Sequence, residues 1–347
     1  MKEKLKIIIS GGLGYIGSHC AVELIIKGYK TVIVDDLSNS SLDVLRGIEN
    51  ITNSKIDFEK IDLKNEKSVE DLFVKHNDAV GFIHFAAYKA VGESVLNPLI
   101  YYQNNLISLI NVLNGTKNLN KYFSFIFSSS CTVYGQSKNL PISENELIQK
   151  AYSPYGNTKQ IGEEIIEDFC KSYNKIKSIS LRYFNPIGAH SSAEIGELPI
   201  GKPNNLVPFI TQTAIGKHKQ LTVFGNDYPT NDGTCIRDYI HVVDLAKAHI
   251  KAFEKLYHST VVSDYDVFNI GTGKGYSVME VIKSFEKISE KKLNFTIGPR
   301  REGDIPEAYA DTEKANKILN WKAKFSIEEA ILSAWNWEKK LQKFYGR

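Results

Sequence analysis

The first 35 residues restrict what this chain can fold into more than any other stretch. Residues 5–9 are a short apolar run that reads as a buried strand. Ser10-Gly11-Gly12-Leu13-Gly14-Tyr15-Ile16-Gly17 follows, and Ile16, Cys20 and Leu24 then recur at helical spacing. A second strand-like run, 30–34, ends at Asp35. Strand, glycine turn, helix, strand and acid in this order form a dinucleotide-binding unit. The glycines allow a tight turn and a close approach of backbone to a diphosphate, which lies at the helix N-terminus. An acid about 20 residues beyond the turn accepts from a ribose hydroxyl and disfavours a 2′-phosphate.

The alternation continues. Residues 56–61 read as a strand ending at Asp62-Leu63, 65–75 as a helix, and 80–85 as a strand followed by the small pair Ala86-Ala87. A long helix is expected over 98–114, with Leu99, Leu106, Leu109, Ile110 and Leu113 apolar. A fifth strand, 123–127, ends at Ser128-Ser129-Ser130, and a sixth, 178–181, leads to Arg182-Tyr183-Phe184-Asn185-Pro186. This rhythm predicts an α/β fold with a doubly wound parallel (Rossmann) sheet and right-handed crossovers. Chemistry in such folds sits at the C-terminal ends of the strands.

After Pro186 the rhythm breaks. Residues 188–205 read as loop, 207–216 as helix, 221–224 as strand and 226–233 as turns. Arg237-Asp238-Tyr239-Ile240-His241 leads into a helix opened by Asp244, and 267–270 reads as a strand returning to the first sheet. Ser277 opens a helix with Val278, Ile282 and Phe285 on one face, and a last helix is expected over 326–341.

Between the fifth and sixth strands lies Ser153-Pro154-Tyr155-Gly156-Asn157-Thr158-Lys159. Ser153 can cap a helix and Pro154 suits its first turn. Tyr155 and Lys159, four apart, then share one face, and Ile161, Ile165, Phe169 and Tyr173 give the helix an apolar stripe. A phenol beside an ammonium is a general acid/base pair. The positive charge is expected to lower the tyrosine pKa towards working pH.

Composition removes several other functions. The 347 residues are enough for two domains, and a net charge of +3 without a basic tract does not point to nucleic acid. Met1-Lys2-Glu3-Lys4 leads directly into the first strand with no export signal, and no apolar run reaches membrane-spanning length. Cys20, Cys131, Cys170 and Cys235 are scattered, which predicts a reduced, cytoplasmic protein with no disulfide framework and no metal site.

Longer segments carry a sharper signal. These are 85–94 (Phe85-Ala86-Ala87-Tyr88-Lys89-Ala90-Val91-Gly92-Glu93-Ser94), 181–190 from Leu181 to His190, 224–230 from Phe224 to Thr230, Arg237-Asp238-Tyr239-Ile240-His241, and the charged run 300–304. With the glycine turn, the serine triplet and the Tyr/Lys pair, they resemble the UDP-glucose 4-epimerase family of extended short-chain dehydrogenases/reductases. The resemblance runs from the first strand to the last helix.

It implies an NAD-binding Rossmann domain over 1–186, joined by segments near 237–270. It also implies a smaller UDP-sugar-binding α/β domain from 187–236 and 271–347. Gly11, Gly14, Tyr15, Ile16 and Gly17 would cradle the NAD pyrophosphate. Asp35, Asn39 and Ser40 would hold the adenosine side, with Asp62 and Leu63 flanking the adenine. Phe85, Ala86, Ala87, Lys89 and Asn104 would line the nicotinamide half, and Tyr183 and Pro186 would close over it. Ser130, Tyr155 and Lys159 would be the catalytic trio. Asn185, Asn205, Leu206, Phe224, Arg237, Tyr239, Arg301 and Asp304 would hold the UDP-hexose. The family's homodimer would form through the helices near 98–114 and 154–173. Cys131, where the family often has alanine, reads as small and apolar, with no histidine or metal pattern to make it a nucleophile.

In that family the position matching Ala308 sets the room around the C2 substituent of the sugar. Tyrosine there confines members to UDP-glucose and UDP-galactose, and small residues admit the N-acetylhexosamine forms. Counted from Asp304 without a gap the residue is alanine, whereas a slip of one would put Tyr309 there. Two rival readings differ from this one at particular residues. A nucleotide-sugar 4,6-dehydratase would place Asp-Glu after the serine, where this chain has Cys131-Thr132, and a non-catalytic NAD-sensing protein would lack the Tyr/Lys pair.

Overall fold

A computed structural model describes residues 4–137, 139–258, 263–301 and 304–345. Glu302 and Gly303 of the charged run lie outside the described residues. The first half of the chain runs β1 (Lys6–Ser10), α1 (Tyr15–Ile26), β2 (Lys30–Asp35), α2 (Leu42–Thr52), β3 (Asp57–Lys60), α3 (Glu66–Lys75), β4 (Gly81–His84), α4 (Val91–Leu96), α5 (Pro98–Asn118), β5 (Phe123–Ser128), α6 (Pro154–Ser172) and β6 (Ile176–Tyr183). It continues β7 (Asn185–Ile187), α7 (Leu206–Ala214), β8 (Leu221–Phe224), β9 (Ile236–His241), α8 (Val242–His258), β10 (Tyr265–Ile270), β11 (Gly275–Ser277), α9 (Val278–Ser289), β12 (Phe295–Gly298), β13 (Glu307–Ala308), α10 (Glu313–Ile318) and α11 (Ile327–Tyr345).

Seven parallel strands form the main sheet in the order β10-β6-β5-β4-β1-β2-β3. Side chains alternate across it. Ile7, Ile9, Ile33, Ile83 and Ile126 face a core that includes residues of α1 and α8. Ile8, Val32, Val34, Phe82, Phe125 and Phe127 face one that includes residues of α3, α5 and α6. Burial on both faces explains why these strands read as unbroken apolar runs. The strand order reverses between β1 and β4, and that is where an open α/β sheet leaves a crevice.

The remaining chain makes a sheet of β11, β9 and β13, with β7 also on β9, and a parallel pair of β8 and β12. α7, α9 and α11 pack there around Val207, Ile210, Val281, Phe285, Ile331 and Trp335. β10 returns to the main sheet beside β6, as its apolar run predicts. α9 opens at Ser277 with a reciprocal cap from Glu280.

Several elements differ from the sequence reading. Residues 236–241 form a strand, and α8 begins at Val242, not at Asp244. The Asp244 carboxylate instead accepts from the backbone N–H groups of Lys324 and Phe325 at 2.7 and 2.9 Å, which pins the segment before α11. α2 and α4 were not read at all. α5 runs on past Asn114 to Asn118, and Gly115 lets it press on Phe73, whose ring would lie 2.2 Å from an added Cβ. Among the described residues no helix is long and apolar enough to cross a membrane.

Candidate active site

The crevice between β1 and β4 is shaped by glycines. Gly11 has φ +62, and a Cβ there would stand 2.8 Å from the backbone nitrogen of Ala86. The turn after β1 is thus pressed against the turn after β4. Ser10 Oγ and His84 Nδ1 are hydrogen-bonded at 2.9 Å just behind it. A Cβ on Gly17 would lie 2.2 Å from the carbonyl oxygen of Gly11, so the start of α1 sits directly on the turn. α1 begins at the glycine cap Gly14, with no side-chain cap bond and no acid in its first turn. Its first N–H groups and the positive end of its dipole are left to an anion.

Asp35 is buried at the end of β2. Its Oδ2 accepts from the Leu13 N–H at 3.0 Å, and Oδ1 accepts from the Leu37 N–H and the Ser40 hydroxyl at 3.0 and 2.7 Å. The acid therefore ties the glycine turn to β2, and a carboxylate with these three bonds can still accept from a ribose hydroxyl. Asn39 is exposed beside it. Asp62 and Asn104 are joined through Lys64, whose ammonium is 3.0 Å from each, with Leu63 buried beneath. The glycine cradle, the uncapped helix start and the acid together fit a dinucleotide.

α6 carries Tyr155 and Lys159. Ser153 Oγ accepts from the Gly156 N–H at 3.1 Å and Pro154 is the first helical residue. Tyr155 and Lys159 are both buried. Lys159 Nζ donates to the Ser128 carbonyl at 2.6 Å and lies 4.7 Å from the Phe127 ring centroid and 5.9 Å from that of Tyr155. Ser130 caps a 3-10 turn, Cys131–Tyr134, accepting from the Thr132 N–H at 3.2 Å. Ser128 and Tyr183 share a hydroxyl–hydroxyl bond of 2.7 Å. Serines of β5, the pair on α6 and Tyr183 of β6 thus meet at the C-terminal edge of the sheet.

The electrostatics correct one expectation. Burial pushes the Tyr155 hydroxyl above its ordinary value. The neighbouring Tyr183 adds to the rise, and a hydrogen bond with Ser130 offsets only part of it. The Lys159 ammonium donates to the Ser128 carbonyl. The same burial lowers Lys159 itself to about 8, with Glu163 opposing the fall. Cys131 is pushed up to about 12, chiefly by burial, in keeping with a small apolar role.

The outer wall comes from the second half of the chain. β7 and β9 pair with Asn185 opposite Tyr239 and Pro186 opposite Ile240. Arg237 of β9 reaches Asp304 at 3.5 Å and is in register with Ala308 of β13. The Arg301 guanidinium lies 4.6 Å over the Phe224 ring, and Arg300 lies 4.2 Å over Tyr228 while bonding Asp227. Ala308 is buried in a cluster with Val133, Tyr134 and Phe184, with Cys131 at its edge. Tyr15 donates its hydroxyl to the Gly188 carbonyl at 2.7 Å, Ile16 packs on the core, and the Phe85 ring lies 4.6 Å from that of His249, tilted by 47°. Ala87 is half-buried in the turn after β4. Lys89 and Asn205, assigned by resemblance to different ligand halves, meet on one acid: Glu197 Oε1 is 3.6 Å from Lys89 Nζ and 2.6 Å from Asn205 Nδ2. Leu206 begins α7 just beyond.

Three residues escaped the sequence reading. Asn105 accepts from the Tyr88 N–H and donates to Thr158, bracing the turn after β4 against α6. Glu163 and Arg182 form a buried ion pair behind Lys159. Helical spacing could have flagged Glu163, which is four residues beyond Lys159.

Comparison with known proteins agrees over nearly the whole chain. A family model described as GDP-mannose 4,6 dehydratase matches residues 8–333. A UDP-glucose 4-epimerase of Bacillus subtilis is 47% identical over 336 residues, covering 96% of this chain and 97% of that protein. A crystal structure of a UDP-glucose 4-epimerase from Stenotrophomonas maltophila, with bound NAD and formylated UDP-arabinopyranose, has a TM-score of 0.93 at 40% identity, covering 98% and 99% of the two chains. One from Bifidobacterium longum with NAD+ and UDP has 0.91 at 43%, covering 96% and 98%. This chain belongs to the UDP-glucose 4-epimerase family, within the wider family that the dehydratase model describes.

Proposed function

We propose that this chain interconverts UDP-galactose and UDP-glucose through a 4-keto sugar, with NAD as a resident cofactor. The observation that carries the reading is the meeting of Ser130, Tyr155 and Lys159 at the crevice edge. Held by the glycine turn, the start of α1 and Asp35, NAD would supply a reversible hydride acceptor for the sugar C4 and a positive charge that favours a phenolate close by. Tyr155 takes the O4 proton and later gives it back. Lys159 supplies the second positive charge, and Ser130 hydrogen-bonds O4. Arg237 and Arg301 hold the diphosphate, whose oxygens accept paired donors. Firm holding of UDP beside small residues leaves the ketosugar free to turn over. Without the acid pair that water elimination needs after Ser130, the dehydratase reading is not favoured. Purified protein given UDP-galactose, with no added NAD, is expected to form UDP-glucose. A 4-keto-6-deoxy sugar as product, or no turnover even with NAD supplied, would remove this reading. A cytoplasmic place suits the four unpaired cysteines and is checked by fractionation.

A wider substrate range is favoured by the way β13 alternates. Ala308 turns into the cluster that borders Cys131 and Phe184, whereas Tyr309 lies on the other side, where a Cβ on Gly275 would be 3.3 Å from its ring. That supports Ala308, not Tyr309, as the residue beside the sugar. UDP-N-acetylgalactosamine is therefore expected to turn over. Ala308→Tyr is expected to cost it about 1–3 kcal/mol, roughly 5- to 150-fold in kcat/KM, by overpacking, with UDP-galactose nearly untouched. Equal losses on both substrates would place the selecting residue elsewhere.

A homodimer through α5 is supported by its outer face. Leu99, Ile100, Ile107 and Ile110 are 72, 42, 41 and 42% exposed, and Leu96 at the end of α4 is 80% exposed. Such a stripe is more apolar than a solvated helix face needs to be. Ile107→Asp with Ile110→Asp is expected to halve the mass seen by light scattering; an unchanged mass would move the interface off α5.

A further inference from the structure

Glu163 takes no part in the reading above, yet it is placed at its centre. It is 4% exposed and charged, and its Oε1 accepts from the Ser129 hydroxyl and from Arg182 Nε at 3.0 Å. Its Oε2 accepts from Arg182 Nη2 at 2.6 Å. Arg182, equally buried, donates through Nη1 to the Tyr134 hydroxyl at 3.0 Å, and that hydroxyl donates to Asn269 Oδ1 at 2.7 Å. One carboxylate thus ties α6 to the ends of β5 and β6 and, through Tyr134, to β10. Three of those elements carry a site residue immediately alongside: Lys159 one turn earlier on α6, Ser128 and Ser130 on either side of Ser129, and Tyr183 next to Arg182. A buried ion pair is a poor source of stability, because apolar side chains of the same volume often serve as well or better. Its retention here points to a different use.

We propose that Glu163 is a positioning residue: clamped by Arg182, it holds the serine segment against α6 and sets its negative charge one helical turn from the Lys159 ammonium. The inference rests on the reading of Tyr155 and Lys159 as the acid–base pair. Among the described residues, the groups around Lys159 leave Glu163 as the nearby anion. Tyr155 shares its helix, the Ser128 carbonyl faces it from β5, and His84 of β4 is held neutral by burial and by Lys159 itself. Tyr183 and Arg182 lie on β6 and Tyr134 on the turn beyond. Burial takes Lys159 down to about 8, and Glu163 is the group that resists this. That resistance favours the charged lysine.

The test reads Lys159 directly. Protein labelled with 13C at lysine Cε is titrated by NMR, and the Lys159 signal is assigned by its loss in Lys159→Met. In Glu163→Gln the side chain keeps its shape and can still accept from Ser129, but the charge is gone. Lys159 is then expected to titrate on the order of one pH unit lower. The alkaline limb of the pH–rate profile with UDP-galactose should move the same way. Since this variant strands the Arg182 charge, Glu163→Gln/Arg182→Gln repeats the test without it, with a smaller shift in the same direction. Ser129→Ala breaks the clamp and keeps the charge, so kcat should fall several-fold with the Lys159 titration unmoved. A Lys159 titration unchanged in both Glu163 variants, with only Tm lowered, would reduce Glu163 to a structural residue. Full turnover in Lys159→Met would overturn the acid–base reading and this inference together.

Discussion

Tyr155→Phe is expected to retain NAD and UDP-sugar and to lose UDP-galactose turnover by roughly a hundred- to ten-thousand-fold, the usual worth of a positioned proton acceptor. The substitution removes one oxygen from a side chain that is 7% exposed and leaves its ring packed. Little structure depends on that oxygen, since Ser130 beside it is held by its own bond from the Thr132 N–H. Thermal midpoint and NAD content should therefore match the parent protein. Burial holds this hydroxyl protonated when nothing opposes it, so activity depends on positive charge arriving beside it. The pH–rate profile of the parent protein is expected to show an acid limb that disappears with the residual activity of the variant. Turnover within a few-fold of the parent would place the proton acceptor elsewhere.

Gly17→Ala is expected to have the second-largest effect. An added Cβ would meet the Gly11 carbonyl oxygen at 2.2 Å and the Gly12 Cα at 2.9 Å. Both are backbone atoms, and Gly11 is itself held by its contact with the turn after β4, so neither side can give way cheaply. Overpacking of this kind costs about 3 kcal/mol. In a chain of this size that corresponds to a Tm lower by on the order of 4 °C. The larger consequence is at the cradle. Pushing the start of α1 off the glycine turn separates the N–H groups meant for the diphosphate, so the purified variant should carry little NAD. NAD content is measured by release on denaturation. Full NAD content with unchanged Tm would mean that the turn does not hold the cofactor in this way.

Much of this protein was legible before its structure. The β1 turn, the buried strands and the Tyr155/Lys159 face of α6 follow from local periodicity. Each depends on neighbours within one or two turns of chain, and the cap at Ser153 and the acid at Asp35 are local signals too. The long motifs extended that reading to the outer wall of the crevice. Strands β7, β11 and β13 were not legible, because two or three residues carry no periodicity and exist only through pairing with β9. Three further features were decided by chain segments far apart in sequence. Ala86 lies against Gly11 because the sheet places β4 beside β1. Glu197 gathers Lys89 and Asn205 because two loops meet there. Tyr155 and Lys159 show the division most plainly. Sequence by itself determined that Tyr155 and Lys159 share a face, because a helix repeats every 3.6 residues. Only the tertiary structure decided their electrostatics. Burial and hydrogen bonding depend on what packs against that face: the Ser128 carbonyl accepts a hydrogen bond from the lysine, Tyr183 crowds the phenol, and Arg182 clamps Glu163.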